Sequence, residues 1–250
     1  MYINDINIMY YVLVGIIGLA VGQFVDWCNQ RLPDYKKVFS KEFFTIYIKN
    51  MKPKFVLMFT TAIIYIALLY FIGWQESILS RLDLIKYMIL TPMILSAFII
   101  DYKMQIIPNR LNLTIFEVGL IFTFIQGIYN PDLAINFILG GILGAGIFLL
   151  ITCIGGLIAG KEAMGFGDVK FMGALGLFFG WMNIIAISLI AFLLAAIISI
   201  ILIVSKKKST DEYIPFGPFI VMATLIVMVV PFETLLFVLF KIFTLGMYQR

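Results

Sequence analysis

Two aspartates stand out by type and position. Asp101 follows the apolar run Met88–Ile100, and Asp168 closes the stretch Gly165-Phe166-Gly167-Asp168, which lies between two further apolar runs. A carboxylate beside or inside hydrocarbon is costly, so within a membrane protein it is a functional candidate by default. Two carboxyl groups held close together do not both ionise easily: one keeps its proton while the other stays charged. Such a pair deprotonates water with one member and protonates a carbonyl oxygen or leaving amine with the other. That is amide hydrolysis with no metal and no protein nucleophile.

Each acid also has an ordinary reading. Asp101 opens the segment Asp101-Tyr102-Lys103-Met104-Gln105-Ile106-Ile107-Pro108-Asn109, in which Pro108 and Asn109 mark a turn. It could be a solvated charge at a helix end. Asp168 could be the N-cap of the helix that follows it. The two glycines at alternate positions before it suit a backbone that turns tightly or passes close to another chain. Lys103 and Lys170 lie nearby and serve either to tune the ionisation or to set topology.

The missing residue types narrow the chemistry. The chain has no histidine, which removes His-dependent zinc proteases, Ser-His hydrolases and His-ligated haem. Its two cysteines, Cys28 and Cys153, form no Cys-x-x-Cys pair and read as packing residues. No serine or cysteine has a visible base partner. Glu162 is the one further acid near the two aspartates, and that set is a poor Mg²⁺ site, so no metal is expected.

The elements that must position these acids are apolar helices. Of the 250 residues, 62% are hydrophobic and 13% charged, against about 25% charged in soluble domains. The mean hydropathy is +1.06. An all-α, polytopic integral membrane protein is expected, forming a single domain over 1–250. Stretches near the roughly 20 residues a span needs recur about eight times. They fall at roughly 8–27, 54–73, 85–101, 111–129, 134–159, 168–182, 184–205 and 216–245. The sixth is short, and Pro231 and Glu233 interrupt the last. No basic stretch precedes the first, which reads as a retained helix. Spacings of four at Gly140/Gly144, Gly156/Gly160 and Gly176/Gly180 put small residues on one helix face, where neighbouring backbones approach closely.

Charge sets the expected orientation. The segments 28–54, 102–110, 160–170 and 205–213 fall on one side if eight helices alternate, and hold seven, two, two and three basic residues, fourteen of the eighteen. Arg81, Lys86, Lys241 and Arg250 fall on the other side. This places the termini outside, the basic loops in the cytoplasm, and both aspartates at the cytoplasmic boundary of the membrane. The net charge of +4 is thus a topology signal and carries no nucleic-acid footprint. In the short basic loop 28–54, Lys41–Lys52 is expected as an amphipathic helix on an anionic leaflet, serving as an anchor or as a docking site for substrate.

With these residues in place, the chain resembles the type IV prepilin peptidases, membrane aspartyl proteases of the Gly-x-Gly-Asp class. Four stretches carry the likeness: Gly165-Phe166-Gly167-Asp168-Val169-Lys170 with Gly173-Ala174-Leu175-Gly176 after it; Asp101 with Ile107-Pro108-Asn109; Ile214-Pro215-Phe216-Gly217-Pro218-Phe219; and Gly22-Gln23-Phe24 with Arg31-Leu32-Pro33. The resemblance implies that Asp101 and Asp168 are the catalytic pair. It implies a multi-pass protein of a bacterial inner membrane. The implied partners are the lipid bilayer and prepilin or pseudopilin precursors, each with a basic leader cut at the cytoplasmic boundary just after a glycine.

One departure bears on cofactors. Many bacterial members carry two Cys-x-x-Cys pairs that bind zinc in the first cytoplasmic loop, and they also methylate the new N-terminus from S-adenosylmethionine. Loop 28–54 has Cys28 and no pair, so zinc is not expected. S-adenosylmethionine is implied only if the methyl transfer is retained. Two other readings of the buried acids stand beside this one: an ion- or proton-coupled transporter, and a non-catalytic assembly scaffold.

Overall fold

The computed structural model describes residues 2–243 except 5, 39, 76, 160–163 and 206–213. Apart from one short β-ladder, in which β1 (Tyr2–Ile3) pairs antiparallel with β2 (Ile6–Asn7), its regular structure is helical. The chain forms an all-α polytopic membrane protein in two compact units, Met1–Ile115 and Phe116–Arg250.

The first unit contains α1 (Ile8–Arg31), α2 (Phe55–Ile72) and α3 (Ile78–Met104). Asn7 caps α1, its side-chain oxygen accepting from the Met9 amide at 3.0 Å. Gly18 and Gly22 bring α1 against α2 at backbone distance. A Cβ added at Gly18 would lie 2.6 Å from the Ala62 Cα, and one at Gly22 would lie 2.6 Å from the Leu57 carbonyl oxygen. This is the small-residue packing that replaces hydrophobic drive inside a bilayer.

Pro92 lies inside α3 and has no N–H to give the carbonyl of Met88. The Tyr65 hydroxyl of α2 fills that gap, donating to the Met88 oxygen at 2.7 Å. A lipid-facing helix needs such a substitute, because no water is present to solvate a freed carbonyl.

α3 begins earlier than the expected 85–101 and takes in Arg81 and Asp83, and Lys86 lies within it. Lys86 is buried and paired with Asp83 at 2.7 Å, one turn away on the same helix. Its ammonium also lies 5.0 Å from the centroid of the Tyr87 ring. A lysine counted from sequence as a marker of the outer side is therefore a neutralised residue inside a helix.

The loop after α1 is pinned to that helix. Among its described residues only Phe43–Tyr47 forms a helical element, one π-helical turn, in place of the amphipathic helix expected over Lys41–Lys52. Phe43 meets Phe24 and Trp27 edge-on at centroid distances of 5.7 and 5.6 Å. The Tyr47 hydroxyl accepts from Gln23 Nε2 at 2.6 Å, and its proton is shared between the Gln23 carbonyl at 3.0 Å and Asp26 Oδ2 at 3.1 Å. Gln23 Oε1 in turn accepts the Lys54 amide at 2.9 Å, just before α2.

The division between the units falls inside α4 (Asn109–Tyr129); the second unit continues with α5 (Pro131–Ala159), α6 (Phe166–Val204), α7 (Gly217–Val229) and α8 (Phe232–Phe243). α6 is broken at Gly180, whose φ of 74° and ψ of 176° lie outside the helical region. Gly144 of α5 shows the consequence: a Cβ there would meet both the Met172 carbonyl oxygen and Ile184 Cγ1. On a straight helix those residues would lie about 18 Å apart. The chain therefore doubles back at Gly180, and the two arms of α6 pack against the same face of α5.

Asn136 secures the reversal, its side-chain oxygen accepting from the Trp181 amide at 3.1 Å at the start of the second arm. Gly140 and Gly176 sit opposite each other, and a Cβ at either would strike the other's backbone. The expected spans 168–182 and 184–205 correspond to these two arms. Among the described residues six helices are long and apolar enough to cross a membrane, or seven if α7 and the part of α8 bent from it by 120° count as one span. Dividing α6 at its reversal adds the eighth segment expected from sequence.

Candidate active site

Asp101 lies in the last turn of α3 and is 3% exposed. Its carbonyl accepts the Gln105 amide at 2.8 Å, and Gln105 takes a left-handed conformation (φ 56°, ψ 34°) that ends the helix. The run Ile106–Pro108 is non-helical, as expected before a proline. α4 restarts at once, with the Leu111 and Asn112 amides both donating to the Pro108 carbonyl. The turn read from Pro108 and Asn109 is present. A solvated charge is not: the aspartate is almost completely covered.

Asp168 lies in the first turn of α6 and is 4% exposed. The N-cap is Gly165, in extended conformation and with no side-chain cap, and the Asp168 amide donates to the Gly165 carbonyl at 3.0 Å. Asp168 is therefore not the N-cap. It stands three residues in, where the positive end of the helix dipole favours a negative charge. Lys170 is exposed, with its ammonium 5.4 Å from the Phe166 ring centroid.

The second unit also places the Pro-Phe-Gly-Pro stretch. α5 and the first arm of α6 run antiparallel, with Gly144 at Met172 and Gly141 at Gly173. Continuing that register by one turn brings Phe148 opposite Asp168. Phe148 packs on Phe192 at 5.5 Å and on Phe216 at 5.8 Å, and Phe192 lies 5.0 Å from Phe216. Phe216 immediately precedes α7, whose first residues Gly217-Pro218 suit a helix start. The motif and Asp168 thus occupy the same end of the second unit. Glu162, Gly160 and most of 205–213 lie outside the described residues.

Of the polar stripe on α1, the sequence motifs include only Gln23. Gln23, Asp26 and Gln30 recur at helical spacing within an apolar run, and Asn29 sits beside them. That periodicity is the signal that finds the Gln23–Tyr47–Asp26 network. Asp26 Oδ2 also accepts from Gln30 Nε2 at 2.7 Å.

A model of the type IV leader peptidase family matches residues 88–200, a stretch that carries both Asp101 and Asp168. A prepilin leader peptidase/N-methyltransferase of Legionella pneumophila is 34% identical over 139 residues, 54% of this chain and 46% of that protein. One from Aeromonas salmonicida is 31% identical over 136 residues, again 54% of this chain and 46% of the relative. The leader peptidase HopD of Escherichia coli is 32% identical over 132 residues, 52% of this chain and 83% of that protein. The chain belongs to the type IV leader peptidase family. It spans about half the length of the first two relatives. No solved structure matches it significantly.

Proposed function

We propose that this protein is a membrane aspartic endopeptidase that removes the basic leader from type IV prepilin or pseudopilin precursors. In this reading Asp101 and Asp168 activate the water, at the cytoplasmic boundary of a bacterial inner membrane. The observation that carries it is the burial of two acids, 3% and 4% exposed, within the stretch matched by the family. One ionised carboxylate takes a proton from water as its oxygen attacks the peptide carbon, and the other, protonated, donates to the carbonyl oxygen. The proton gained by the first then passes to the leaving amine as the C–N bond breaks, while the hydroxyl formed from the carbonyl oxygen returns its proton to the second acid as the C=O re-forms. The names of the relatives support the substrate class.

The acids' positions favour this reading over ion- or proton-coupled transport. A coupling site near the bilayer midplane calls for acids midway along a span. Asp101 lies in a last turn and Asp168 in a first turn. Zinc in loop 28–54 does not fit the residues present, since that loop holds one cysteine and no histidine.

The test is co-expression with a prepilin, read by gel shift and by mass spectrometry of the new N-terminus. The precursor should be shortened at its leader boundary, and an added methyl group would register in the same spectrum. An intact precursor, with the protein present in the membrane at normal levels, would refute the reading.

A further inference from the structure

A cavity of about 300 Å³ lies among α1, α2 and α3, lined by Asp26, Asn29, Lys54, Ile100, Lys103 and Met104 among others. The α3 residues are those of the turn that carries Asp101. Within it, Asn29 is anomalous. Its Nδ2 and Oδ1 are both shielded from solvent, and neither has a hydrogen-bond partner among the described residues. The neighbouring Asp26 is already engaged, its Oδ2 accepting from Gln30 Nε2 and from the Tyr47 hydroxyl. A shielded amide with both halves unpaired destabilises the fold, and groups of this kind in native proteins call for an explanation.

A side-chain carboxamide offers an N–H donor and a C=O acceptor side by side, the complement of one peptide group. We infer that this cavity is a subsite for the extended chain of the substrate, in which the carboxamide of Asn29 pairs with a backbone peptide group. The inference rests on the peptidase reading and adds a positioning residue to it. A lipid headgroup is the competing occupant. Its phosphate would engage Lys54 and Lys103, which form no ion pair among the described residues, and would leave the Asn29 acceptor unused. A peptide group supplies the donor and the acceptor that Asn29 needs in one planar unit. An α-helix is about 10 Å across and an extended chain advances about 3.3 Å per residue. A peptide cut beside Asp101 therefore reaches the cavity about three residues from the scissile bond.

The test uses the full-length protein in lipid nanodiscs and a purified precursor, comparing wild type with Asn29→Leu. The apolar replacement is close in size and removes the unpaired amide. The thermal midpoint should hold or rise, while KM increases about tenfold at nearly unchanged kcat, the signature of lost uniform binding. Replacing single backbone amides of the precursor by esters gives the second readout. An ester about three positions from the cut should raise KM for wild type and have little further effect on Asn29→Leu.

An unchanged KM would overturn the inference, as would a raised KM with no coupling to any ester, the result expected if the cavity holds lipid. A raised KM accompanied by a lowered midpoint and by no ester coupling has the same meaning: Asn29 is structural. If wild type cleaves, Asp101→Asn does not, and Asn29→Leu matches wild type, this inference alone fails. If wild type does not cleave, the peptidase reading fails and takes the inference with it.

Discussion

At the scale of single residues, the weight of the account falls on polar groups in apolar surroundings. Asp101→Asn and Asp168→Asn keep size and packing but remove the proton transfer, so cleavage should fall about 10²- to 10⁴-fold. Membrane levels should not change, and a quantitative blot checks them. Tyr65 makes a different case, because its hydroxyl satisfies the carbonyl that Pro92 leaves open. Tyr65→Phe should cost about 1–3 kcal/mol, read as a lowered thermal midpoint, with catalysis intact in the folded fraction. Tyr47, in the loop, carries a pH prediction. Burial first, and the Asp26 carboxylate second, push its hydroxyl up to about 12. The folded state thus prefers the neutral phenol. Its contribution is complete below the unfolded value of about 10 and is lost as the pH rises from about 10 to about 12. Protease resistance of segment 28–54 should stay constant through neutral pH and decline only in that alkaline window.

At the scale of elements, close backbone contacts decide how the helices meet. Gly176 faces the Gly140 backbone, whereas Gly146 has nothing within 4 Å of an added Cβ. Gly176→Ala should therefore lower the thermal midpoint, and Gly146→Ala should hold or raise it, since alanine is the better helix former. Gly180→Ala should be worse still, combining a left-handed φ with a clash against the Asn136 side chain. Most of the helices were legible from hydropathy, because a span must be long and apolar. The separation of 168–182 from 184–205 placed a break about three residues beyond the one at Gly180. What sequence could not show depends on partners distant in the chain. Asn136 capping the second arm, Tyr65 answering Pro92 and the π turn at Phe43–Tyr47 are each fixed by contacts across 20 or more positions. Asp101 and Asp168 were legible because charge in an apolar run is conspicuous. Asn29 was not, since an uncharged amide near a helix end attracts no attention until its atoms are found unpaired.

At the scale of the whole molecule, the distribution of lysine and arginine predicts which side each loop faces. In a Cys28→Ser, Cys153→Ser background, Lys36→Cys should react with a membrane-impermeant maleimide only after the membrane is opened to the cytoplasmic side. Labelling of intact cells would invert the topology. Each of the two compact units holds one buried acid, and the family match extends over both positions. The measurement that bears most directly on the central claim is cleavage of a co-expressed prepilin by wild type, Asp101→Asn and Asp168→Asn at equal membrane levels. The account predicts a processed N-terminus with wild type and unprocessed precursor with both variants. Processing that survives either substitution would contradict it.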